Sequence, residues 1–124
     1  MAGSPESGAT ALQAVSNALV KLHKEQFGRG PTNARTYFAG PDALVCVLTD
    51  ALLPAELKMV DLGQDLRVRE SRLAFQTATE ADFVAAVESI VRRKVSAFGS
   101  SLDPHANVVF ETFGFEPRET DGNR

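Results

Sequence analysis

The segment Gly28-Arg29-Gly30-Pro31 divides this chain into a helical opening and everything that follows. Before it, Leu12, Val15, Leu19 and Leu22 recur at helical spacing, with Ala11 and Ala18 beside them. That pattern predicts one helix from about Thr10 to Phe27. Gly28 is placed to end the helix in a left-handed conformation. Gly30-Pro31 then forbids its continuation.

Two strands are expected next. Ala34 to Ala39 alternates in part and is rich in β-formers. Gly40-Pro41-Asp42 is a turn signal. Leu44 to Leu48 is continuously apolar, as befits a strand covered on both faces or central in its sheet. The middle of the chain reads as broken helix. Pro54 suits a first helical turn, Gly63 interrupts, and Asp65 to Phe75 carries Leu66, Leu73 and Phe75 among many charges. Thr79 with Asp82 resembles a capping pair. It opens a stripe of Phe83, Val84, Val87, Ile90 and Val91 that ends near Arg93. Val95 to Ser101 and Val108 to Phe115 supply the last two strands. The expected order is α-β-β-α-α-α-β-β. Two hairpins with helices between them imply an α+β fold, a mostly antiparallel four-stranded sheet with helices packed on one face. Apolar groups on both faces of the last strand predict a covered outer face, hence a homodimer.

The 124 residues fit one domain. We place it at 10–116, between a disordered leader over 1–9 and a disordered tail over 117–124. A net charge of −3 argues against broad nucleic-acid binding, which needs a basic face. No stretch approaches the roughly 20 apolar residues of a membrane span. The first ten residues lack the basic and apolar parts of a signal peptide. Together with the single cysteine, Cys46, these features predict a cytoplasmic protein. Cys46 lies in an apolar run and reads as a small buried hydrophobe.

Candidate chemistry is sparse. In Gly28-Arg29-Gly30-Pro31, two glycines let successive N–H groups point to one side, a concavity that can hold an anion. Arg29 and Arg35 would add charge and a bidentate fork for phosphate, carboxylate or bicarbonate. The loop lacks the length and lysine of a phosphate-binding loop. The blander reading is a helix stop followed by a turn, with Arg35 on a wet strand face. His23 shares a charged helix end with Lys24 and Glu25, and His105 follows Pro104 in a loop; surface or capping roles are expected for both. No Cys or His stands at metal-ligand spacing to either, so no metal or cofactor is expected. Arg69 and Arg72 share one side of the middle helix, and Arg92 and Arg93 end the long one. Solvated faces are the default there; docking to an acidic protein surface or to anionic lipid headgroups is the alternative.

The run from His23 to Tyr37 (His-Lys-Glu-Gln-Phe-Gly-Arg-Gly-Pro-Thr-Asn-Ala-Arg-Thr-Tyr) resembles the MpsC family, with Asn33 where that family more usually has lysine. The resemblance extends through the Val45-Cys46-Val47-Leu48 strand, the Pro54-Ala55-Glu56 helix start, Arg72 to Phe75 and the Asp103-Pro104 connection. It implies a component of a cation-dependent, membrane-potential-generating system whose membrane partners are linked to sodium and bicarbonate uptake. It brings no catalytic residues. Three readings follow. The first is a non-catalytic accessory or regulatory module, working through protein contacts with an anion read at Gly28, Arg29, Gly30 and Arg35. Its interaction candidates are His23, Arg69, Arg72, Arg92 and Arg93, and its partner a membrane transporter subunit that holds it peripherally at the membrane. The second is a small enzyme using His23, Arg29 and Arg35 on a carboxylate or phosphate. The third is a structural subunit of an oligomer.

Overall fold

The computed structural model describes residues 4–118. Its elements are α1 (Ser4–Phe27), β1 (Asn33–Phe38), β2 (Ala43–Thr49), α2 (Pro54–Asp61), α3 (Asp65–Val91), β3 (Val95–Asp103) and β4 (Val108–Phe115). The fold is α+β, as the patterns predict. Helix α1 begins at Ser4 rather than Thr10. The outer parts of the expected leader and tail, residues 1–3 and 119–124, lie outside the described residues.

The two hairpins form one antiparallel sheet in the order β1-β2-β4-β3. This order puts β2 and β4, the two most apolar strands, in the centre. Register divides the side chains cleanly between faces. One face carries Leu44, Cys46 and Leu48 from β2, with Val109, Phe113 and Phe115 from β4; all six are buried. Val15 and Leu19 of α1 and Phe83 and Val87 of α3 close over it and complete the core. The other face carries Tyr37, Val45, Val47 and Phe110, of which Tyr37 and Phe110 are exposed.

The two last helical segments expected in the middle of the chain join end to end as α3. The physical reason is at Thr79. Its hydroxyl donates to the Phe75 carbonyl one turn back, at 2.7 Å, instead of capping a new helix. The helix stops at Arg92, which adopts a left-handed conformation with φ 64°. Arg93 follows and clamps three parts of the chain. Its guanidinium donates to Asp42 at 2.7 Å and to the carbonyls of Pro41 and Glu116, lying over the Phe115 ring.

Candidate functional site

Helix α1 presents Leu12, Val15, Ser16, Leu19 and His23 toward the sheet, spaced at three and four residues. His23 is therefore a core residue, 5% exposed, and not the surface group expected at a charged helix end. Beneath α1, a single row across that face of the sheet carries Thr36, Cys46, Glu111 and Ser100, paired in register. A polar belt thus crosses an otherwise apolar core. The Ser16 and Thr36 hydroxyls share a hydrogen bond of 2.7 Å. Burial, opposed by a hydrogen bond with Thr36 and reinforced by the charge of Glu111, pushes the Cys46 thiol up to about 11. It does not ionise near neutrality, which suits its place as a buried small residue.

At the centre of the belt, His23 Nε2 lies 3.2 Å from Glu111 Oε2, and Glu111 is 2% exposed. The imidazole is held edge-on to Phe83, with centroids 5.5 Å apart, and tilted against Phe27. Nothing in β4 but its period of two announces Glu111. It stands between Val109 and Phe113 on the core face.

A second buried charge stands beside the pair. Arg72 is 7% exposed, which corrects its placement on a solvated helix face. It holds Glu56 bidentately, Nε to Oε2 at 2.8 Å and Nη2 to Oε1 at 2.6 Å, and Nη2 also donates to the Ala51 carbonyl at 2.9 Å. Its guanidinium lies 3.8 Å above the Phe27 ring centroid, a stacked cation–π geometry. Glu56 in turn accepts the Leu53 N–H at the start of α2. Burial works against the charge of Glu56, but the hydrogen bonds from Arg72 and Leu53 and the charge of Arg72 outweigh it. The carboxyl lies below its usual range.

A half-open cavity of about 200 Å³ lies beside them, between α1, α3 and the β3–β4 hairpin. Phe27, Leu73, Phe75, Phe83, Leu102 and Val109 form its apolar walls. His23, Arg72 and Glu111 line it as well, and Arg69 stands exposed at its edge. Among the described residues, three buried side-chain atoms have no hydrogen-bond partner: His23 Nδ1, Arg72 Nη1 and Glu111 Oε1. All three belong to this one site. Unpaired buried polar atoms are costly, so their occurrence in three residues that line one cavity marks it as the candidate functional site.

The loop that dominates the sequence has a different role. Gly28, at φ 85°, ends α1 with its N–H on the Lys24 carbonyl. Gly30 packs against α1 so closely that a Cβ there would lie 3.1 Å from the Val20 carbonyl oxygen. Arg29 donates to the Leu52 carbonyl at 2.8 Å and approaches Asp50 at 3.4 Å. Arg35 is exposed on β1, on the sheet face opposite His23. The structure therefore does not bring Arg29 and Arg35 together, and His23, Arg29 and Arg35 do not converge. Arg92 is exposed at the end of α3, while Arg93 is engaged in the clamp described above. His105 makes a surface pair with Asp65 at 3.6 Å. Among the described residues, no three His, Cys, Asp or Glu side chains cluster as metal ligands.

A family model described as "Na+-translocating membrane potential-generating system (MpsC)" matches residues 9–117. The chain belongs to the MpsC family. The matched span takes in every strand, both later helices and most of α1, so the cavity and both ion pairs lie within the MpsC domain. No match was found among curated proteins or among solved structures. In the described residues of this MpsC chain, no helix is long and apolar enough to cross a membrane.

Proposed function

We propose that this MpsC protein is a non-catalytic accessory subunit that docks, at the cytoplasmic side, on a membrane-bound component of a Na+-translocating system. Family membership supplies the system. One observation carries the docking role: Leu66 and Leu73 stand one heptad apart on α3, 64% and 57% exposed. Two large apolar side chains on one helix face, flanked by Arg69 and Glu70, make the kind of surface a partner groove takes. The geometry favours protein contacts over anion sensing at Gly28-Arg29-Gly30-Pro31, because Arg29 already serves the Leu52 carbonyl and Asp50.

The test is made in the host. Deleting the gene should remove the Na+-dependent part of the membrane potential, read with a potential-sensitive dye. Leu66→Asp with Leu73→Asp should reproduce that loss at unchanged protein level, since both side chains are on the surface. A normal Na+-dependent potential in the deletion strain would refute the reading; a normal potential in the double variant alone would refute this docking surface.

The open sheet face supports self-association as a second contact. Tyr37 and Phe110 are exposed there beside Val45 and Val47. Sedimentation should show a dimer that Phe110→Asp converts to monomer. Wild-type protein that stays monomeric up to about 1 mM, the weak limit of specific association, would exclude it.

A further inference from the structure

The sheet edge farthest from β3 carries a second groove. In the order β1-β2-β4-β3, β1 has a neighbouring strand on one side only. One hydrogen bond just beyond the strand sets its backbone directions: the Ala39 N–H donates to the Ala43 carbonyl at 2.8 Å. Antiparallel pairing alternates, so Tyr37 and Arg35 exchange hydrogen bonds with Val45 and Val47 of β2 in the same phase. The N–H and C=O groups of Ala34, Thr36 and Phe38 therefore turn away from β2, toward the open edge. None of them has a backbone partner elsewhere among the described residues.

A groove of about 260 Å³ runs along this edge. Strand β1 contributes four consecutive residues to it, Ala34 to Tyr37, and α1 contributes Ala9, Leu12, Gln13 and Ser16. Strand side chains alternate between faces, so a groove that touches four in a row follows the backbone itself. The helix residues recur at intervals of three and four and form one wall. An open strand edge beside a helix wall is the geometry that takes an extended peptide as an added strand.

Charge selects the occupant. Arg35 is exposed on the face away from α1 and has no ion-pair partner among the described residues. A second copy of this chain fits poorly. Two-fold antiparallel pairing centred on Thr36 sets Arg35 diagonal to the same arginine of the other copy, and pairing centred on Arg35 sets the two directly opposite. A charged side chain in the middle of an edge strand blunts such indiscriminate pairing. A strand that brings a carboxylate to that position meets attraction instead.

We propose that the α1–β1 groove binds an extended segment of a partner protein as an added antiparallel strand, with an apolar side chain opposite Thr36, on the side of Leu12, and a carboxylate opposite Arg35. The groove shares no residue with Leu66 and Leu73, so this contact and the α3 docking surface can fail separately.

The probe is the peptide acetyl-Val-Thr-Leu-Glu-Val-amide, written to place its Leu opposite Thr36 and its Glu opposite Arg35. Titrated into isotope-labelled full-length protein, it should shift the amide signals of Ala34, Thr36 and Phe38 saturably, with a Kd of about 0.1–1 mM. Methylating its Leu nitrogen, which removes the donor that faces the Thr36 carbonyl, should abolish binding. Replacing its Glu by Lys should weaken binding roughly tenfold, the scale of exchanging an attractive for a like-charge cross-strand pair. Arg35→Glu, a surface change that leaves the fold intact, should reverse that preference. Phe110→Asp, on the open sheet face, should bind the peptide as the wild type does. Four results would overturn the proposal: no saturation by about 10 mM peptide; binding that survives methylation of the Leu nitrogen; an unreversed preference in Arg35→Glu; or a Phe110→Asp protein that stays dimeric and shifts its Ala34, Thr36 and Phe38 amides on dilution, which would seat a second copy on the edge.

Discussion

Glu111→Ala lowers the unfolding free energy by about 3–5 kcal/mol, because it leaves His23 buried without its partner. Measured against the roughly 5–15 kcal/mol that holds a domain of this kind together, that is a large share. The geometry argues for the upper part of the range. Both side chains are nearly fully enclosed, and the imidazole packs against Phe27 and Phe83. The belt continues on the other side of Glu111 through Cys46, Thr36 and Ser16, which gives the loss further reach. Urea unfolding should show the midpoint fall with little change in slope. A cost below about 1 kcal/mol would mean that the pair is not desolvated as the structure has it.

The decisive companion is His23→Leu combined with Glu111→Leu. Replacing a whole buried ion pair by apolar groups is often neutral, whereas breaking it is not. The double variant should therefore recover to within about 1 kcal/mol of wild type, with a large coupling energy in the cycle. If so, the pair is not there for stability. Two ionisable residues in a core, each with an unpaired buried atom, then call for an explanation other than stability. If the double variant is instead as unstable as either single one, the pair is a structural element, and the cavity loses its polar rationale.

The strands and helices were legible because apolar periodicity sets them, and the structure differs mainly where a polar side chain decides. Thr79 looked like a cap and is a mid-helix residue bonded backward to Phe75. The candidate site was harder to read for a related reason: stripes were traced through apolar residues alone. His23 lies four residues beyond Leu19 on the α1 stripe, and Arg72 lies four beyond Val68 on that of α3. Glu111 keeps the two-residue period of Val109, Phe113 and Phe115. Each occupies a core position by spacing, so the sequence did carry the signal that three ionisable groups must be buried. Their pairing was not legible. His23 and Glu111 are joined only when the β2–β4 contact brings the end of the chain under its first helix. The Gly28-Arg29-Gly30-Pro31 loop misleads in the opposite sense. Its unusual composition is explained by a helix stop, a close approach to Val20 and an arginine fastened to the β2 exit.

Arg72→Ala should cost about 3 kcal/mol, and Arg72→Lys roughly half of that. The guanidinium joins four parts of the fold: Glu56 of α2, the Ala51 carbonyl after β2, Phe27 at the end of α1 and its own helix. An ammonium keeps the charge but loses the fork onto Glu56 and the stacking on Phe27, which is why lysine only partly replaces it. The pH dependence identifies the mechanism. Glu56 titrates below its ordinary 4.5 in the folded protein, so its contribution is complete above that pH and is lost as pH falls through the lowered folded value. Removing Arg72 removes the main interactions that hold it down. The stability gap between wild type and Arg72→Ala should therefore be full at neutral pH and shrink as pH falls below 4.5 through the lowered folded value. Amide exchange should place the damage first in α2, whose opening N–H at Leu53 depends on the same carboxylate. A gap that stays constant with pH would assign the loss to the Phe27 stacking and the Ala51 hydrogen bond rather than to the Glu56 pair.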